Sequence, residues 1–75
     1  MTTVQVKLSL AENVKRFVEI VSRYPYEMDL RAGRYVVDAK SLLGIFSLDL
    51  SKVLVLEVFA PECGELLREI EQFLA

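Results

Sequence analysis

The sequence predicts an α+β open-faced sandwich with the element order β-α-β-β-α-β-α. Three observations carry that prediction. Apolar residues alternate singly in some stretches and recur at three and four in others, so strand and helix periods take turns along the chain. Two alternating stretches, Tyr26 to Arg31 and Arg34 to Ala39, are joined by Ala32-Gly33, a hairpin signal. Finally, Val53 to Phe59 is almost wholly apolar and β-branched, as expected of a strand that is covered on both sides or central in its sheet.

Taken in order, Val4, Val6, Leu8 and Leu10 alternate with Gln5, Lys7 and Ser9, predicting a first strand with one wet face. Ser9 followed by Glu12 has the spacing of a capping box, which predicts a helix starting directly after that strand. Val14, Phe17, Val18, Val21 and Tyr24 form its apolar stripe, and Pro25 is expected to stop it. Tyr26, Met28 and Leu30 predict the second strand. Gly33 supplies the positive φ of a tight turn, and Arg34 to Ala39 form the third strand.

After Lys40 the period changes. Leu42, Ile45 and Phe46 lie on one side of a helical turn, and Ser41 stands at its N-cap, where a hydroxyl accepts from free backbone N–H groups. Gly44 weakens that helix but lets another surface approach closely. Asp49 to Lys52 reads as a connection into the fourth strand. Pro61 suits the first position of a last helix, Glu62 and Glu65 suit its positive end, and Leu66, Leu67, Ile70, Phe73 and Leu74 form its stripe.

The segment Ala39-Lys40-Ser41-Leu42-Leu43-Gly44-Ile45-Phe46-Ser47-Leu48 resembles the HPr family, the histidine-containing phosphocarriers of the bacterial sugar phosphotransferase system. That family has a strand, then Ala or Leu, Lys, Ser, an aliphatic pair or Ile-Met, Gly, and an apolar turn ending in Ser-Leu or Thr-Leu. The resemblance extends from Val4 to Leu74 and is specific around Ser41. It implies a four-stranded antiparallel sheet in the order 1-4-2-3, with three helices on one face.

Composition bounds the function. The 75 residues hold one domain, residues 1–75, and 53% of them are hydrophobic, enough for a two-layer core. With nine basic and eleven acidic residues, the chain has no excess of positive charge for nucleic acid. The single Cys63 excludes an internal disulfide, and without His or further Cys it builds no metal cluster; the expected compartment is the reducing cytoplasm. The N-terminus lacks the pattern of a signal peptide, and the apolar run from Val53 is far short of the ~20 residues of a membrane helix.

The resemblance departs at one decisive place. The family's loop between strand one and helix one carries a histidine that takes phosphate from enzyme I and passes it on, chemistry that needs a neutral nitrogen nucleophile near pH 7. Here that region reads Ser9-Leu10-Ala11-Glu12-Asn13-Val14, and the chain contains no histidine. The expectation is a protein with no catalytic residues, no cofactor, no metal and no enzymatic activity.

Ser41 matches the family's regulatory serine, which in many Gram-positive bacteria is phosphorylated by an ATP-dependent HPr kinase; a helix N-terminus suits a phosphate. Read from the residues alone, Ser41 is a helix cap. Lys40, Leu42, Leu43 and Phe46 match the family's partner-binding positions. A short helix cannot bury all four of its large apolar residues, and Leu43 is the one expected outside. Arg31, Arg34 and Lys40 read as a solvated face, Cys63 as an idle thiol, and Glu65, Glu69 and Glu71 as an exposed helix face.

The sequence thus points to an HPr-like regulatory or protein-binding module with Ser41 as a phosphorylation site. The partners implied are phosphotransferase-system proteins, HPr kinase or a transcriptional regulator. Two alternatives stand beside it: a phosphocarrier in sugar transport using a non-standard acceptor, and a structural module that self-associates through the Ser41 helix or a strand edge.

Overall fold

The computed structural model describes residues 1–75. Its strands are β1 (Thr2–Val6), β2 (Glu27–Ala32), β3 (Tyr35–Asp38) and β4 (Leu54–Phe59). Its helices are α1 (Ala11–Val21), α2 (Leu42–Phe46) and α3 (Gly64–Glu69), the last followed by a 3₁₀ turn, Glu71–Phe73. All strand pairs are antiparallel and the sheet order is β1-β4-β2-β3, the order the resemblance implies.

Register decides which residues face the core. Val6 lies opposite Leu54, Leu56 opposite Leu30, and Val58 opposite Met28; all six are buried. The alternate residues Glu57, Asp29 and Asp38 line up on the other, open face. The helices cover the apolar face. Val14, Phe17 and Val21 of α1 enter the core with Ile45 of α2 and Leu66 of α3, and Phe17 meets Phe73 edge-on with ring centroids 5.9 Å apart. No polar or charged residue is buried, so apolar burial has no desolvated polar group to offset it.

The element ends depart from the expectations. The first strand stops at Val6, because the chain turns at Ser9, whose φ of 61° no strand residue adopts. Leu8 still enters the core, but Leu10 lies outside it. The capping box is not formed: Leu10 occupies the N-cap of α1, no side chain caps it, and Ser9 is one residue too early. Asn13 instead reaches back, its Nδ2 donating to the Leu8 carbonyl at 2.7 Å. At the other end α1 finishes at Val21, and Arg23 and Tyr24 tighten the exit by donating to Ile20 and Val21 before Pro25 is reached.

The last helix begins at Gly64 rather than at Pro61. Ala60 and Cys63 are buried first, which holds Pro61 and Glu62 in an exposed connection and leaves only Glu65 in the first helical turn. β4 is central, between β1 and β2, yet covered on one face only: Leu54, Leu56 and Val58 are buried while Phe59 is exposed. The third strand starts at Tyr35, since Arg34 belongs to the turn after Gly33, and it forms an edge of the sheet. The C-terminal residues lie along β1: Lys7 N donates to the Phe73 carbonyl, Ala75 N to the Gln5 carbonyl, and Val6 bridges Leu74.

Candidate functional site: the Ser41 helix

The entry into α2 is built by a chain of short-range hydrogen bonds. Asp38 ends β3 and turns the backbone, its Oδ1 accepting from Lys40 N at 2.9 Å and its carbonyl from Ser41 N at 2.9 Å. Ser41 then has extended backbone angles, and its Oγ accepts from Gly44 N at 3.0 Å, the side-chain cap expected of it. Ser47 closes the far end, its Oγ donating to the Gly44 carbonyl at 2.6 Å.

Gly44 is held to glycine by its surroundings. A Cβ there would stand 3.0 Å from Ser41 Oγ and 3.2 Å from Val37 Cβ, so the missing side chain lets α2 lie against β3 with the cap intact. The close approach expected from the sequence is therefore to β3.

Burial divides the apolar residues of α2. Ile45 is fully buried, Leu42 is half-buried, Phe46 is 38% exposed and Leu43 is 83% exposed. Ser41 itself is half-buried. Lys40 is turned away from this surface: its Nζ donates to the Tyr24 carbonyl at 2.6 Å, where a cation also complements the C-terminal end of α1. Of the four positions expected to meet a partner, Leu43 and Phe46 are open, Leu42 is partly so, and the Lys40 ammonium is engaged within the fold. Arg31 is likewise occupied, donating to Glu57 Oε1 at 2.9 Å across the open face.

Around the junction of β1 and α1, Lys7, Ser9, Leu10, Ala11 and Glu12 are exposed. None is an imidazole, and Leu10, 59% exposed, occupies the N-cap of α1. Cys63 is buried and unpaired.

One cluster was not legible beforehand. The Tyr24 hydroxyl donates to Glu69 Oε2 at 2.7 Å, and Arg23 Nη2 approaches the same carboxylate at 3.4 Å. The hydrogen bond to Glu69, then desolvation and the carboxylate's charge, push the Tyr24 phenol up from 10 to about 12. The partners are 45 residues apart in sequence, and no local spacing announces them.

These features define a class: an open-faced α+β sandwich in which a serine caps a short apolar helix leaving the edge strand. It is the HPr-like fold. HPr-C-His from Thermoanaerobacter tengcongensis superposes with a TM-score of 0.80 at 23% identity, over 96% of this chain and 89% of that one. The phosphocarrier protein HPr from Bacillus anthracis str. Ames gives a TM-score of 0.75 at 18% identity, over 99% and 96%. At these identities the likeness is one of fold. No family model matches the sequence, and no curated protein matches it. No helix is long and apolar enough to cross a membrane.

Proposed function

We propose that this protein is a non-enzymatic relative of the phosphotransferase-system phosphocarriers, acting in the cytoplasm as a regulatory, protein-binding module. The α2 surface, with Leu43 and Phe46 outermost and Leu42 beneath them, is its partner contact. Ser41 at the base of that surface is its phosphorylation site. The observation that carries this reading is the pairing of a capping serine with a leucine two residues on, Leu43, that is 83% exposed. Exposing so large an apolar side chain costs nothing in folding only if folding never depended on it, and such residues make effective contact anchors.

Phosphate transfer through histidine falls outside the proposal, because the chain has no imidazole. A serine ester is a poor phosphate donor, so modification of Ser41 acts as a switch of charge: it places a dianion beside Leu43 and at the helix entry. Partners of the expected kinds are a phosphotransferase-system protein, HPr kinase or a transcriptional regulator.

The test is intact mass with site mapping after incubation with ATP and HPr kinase. One phosphate on Ser41 supports the reading, and an unmodified protein reduces Ser41 to a helix cap. Incubation with phosphoenolpyruvate and enzyme I should leave the protein unlabelled; stoichiometric labelling there would overturn the absence of carrier activity.

A further inference from the structure

The outer edge of β3 is an unpaired strand edge with its own sequence logic. Ala39 N donates to the Met28 carbonyl, so in the alternation of an antiparallel pair Tyr35 and Val37 also face β2, while Val36 and Asp38 point their backbone groups outward; the Asp38 carbonyl is already taken by Ser41 N, which leaves Val36 with both groups open. No hydrogen bond outside the ladder engages Val36. The side chains along this edge are exposed as well, Tyr35 at 67% and Val36 at 46%.

The segment Arg34-Tyr35-Val36-Val37-Asp38 is self-complementary when paired antiparallel with itself about Val36. Val36 then faces Val36, Tyr35 faces Val37, and Arg34 faces Asp38, twice. The outward backbone groups allow this register, because a Val36–Val36 centre lets the two copies exchange N–H and C=O bonds, and it places at the centre the residue whose N–H and C=O are both open. Charge supports it independently. Asp38 lies directly opposite Asp29 on the open face, and neither carboxylate has a cation within ion-pair distance. Arg34 has no ion-pair partner either. A second copy brings Arg34 to the place where the single chain leaves two like charges together.

We propose that two copies of this chain associate through β3, antiparallel about a twofold axis at Val36, with Arg34 of each copy opposite Asp38 of the other. The pairing joins the sheets across an isologous contact and covers Tyr35 and Val36. It does not depend on the function proposed for α2. Because β3 is only four residues long, the contact is small and the dimer belongs to the weak, transient class.

Sedimentation velocity of the full chain from about 10 µM to about 1 mM tests it. The wild type should shift from monomer to dimer across that range; a monomer throughout overturns the proposal. Arg34→Glu sets like charges opposite each other at both ends and should weaken association about tenfold or more. Val36→Pro removes only an outward-facing N–H, which an edge strand tolerates, and should leave a folded monomer. The decisive experiment mixes Arg34→Glu with Asp38→Arg. Each alone should stay monomeric, and the mixture should form a heterodimer because both charge pairs become attractive again. Unchanged dimerisation of Arg34→Glu, or loss of the dimer in Leu43→Glu with β3 intact, would assign self-association elsewhere and sink the β3 pairing.

Discussion

Replacing Ser41 by alanine isolates the cap from any regulatory role of the hydroxyl. The change deletes one hydrogen bond, the 3.0 Å contact from Gly44 N to Ser41 Oγ, and leaves a half-buried backbone N–H without a partner. N-cap losses of this kind cost about 1 kcal/mol. The five residues of α2 are too few to hold a helix by propensity, so the loss is not absorbed by the rest of the element. For a domain of this size, 1 kcal/mol corresponds to a fall in Tm of roughly 4–8 °C. Thermal unfolding followed by far-UV circular dichroism, with urea titration as a second measure, reads it directly. Ser41→Asp is the companion variant: its carboxylate can cap the same N–H and suits the helix N-terminus, so its Tm should stay near that of wild type. A Ser41→Ala Tm within about 1 °C of wild type would refute the capping argument. The pair also separates effects on binding from effects on folding, since Ser41→Asp alters surface charge while retaining the cap.

Three further outcomes follow from the same geometry. Leu43→Glu should change stability by no more than about 0.5 kcal/mol, because the side chain is already in solvent, while abolishing partner binding in a pull-down or titration. Gly44→Ala should destabilise by about 1–3 kcal/mol in urea unfolding, the approach to Ser41 Oγ and Val37 outweighing the gain in helix propensity; a stabilised variant would contradict the packing of α2 on β3. Tyr24 titrates near 12 in the folded chain against 10 ordinarily, so its contribution is intact below pH 10 and is lost as pH rises from 10 through 12. Tyr24→Phe should remove that segment of the wild-type pH–stability curve and leave the curve's shape below pH 9 unchanged.

Legibility in the sequence followed the range of the interactions. The Ser41 cap, the Gly33 turn and the burial of Met28 and Leu30 are governed by neighbours a few residues away, and period and residue type were enough to place them. The ends of β1 and α3 were misplaced because packing decided them: Leu8 and Cys63 are drawn into the core and the backbone bends to follow. Alternation put Tyr35 on the same side as Val37, and the register agrees, but it could not say that the side chain lies beyond the helices' cover. At the candidate site, the exposure of Leu43 was legible from crowding on a short helix. The diversion of Lys40 to the Tyr24 carbonyl was not, since it depends on how α1 and β3 meet in space.

The C-terminal residues that lie along β1 have a consequence for valence. Their bonds, at the Gln5 carbonyl and the Lys7 N–H, reach no residue before Gln5, so they cover the β1 edge only toward its C-terminal end. A sheet with two free edges can polymerise by repeated stacking of strand on strand. Here a strand added on the β1 side meets the C-terminal residues from Gln5 onward, which shortens the stretch it can pair with, whereas the β3 edge carries no such cover.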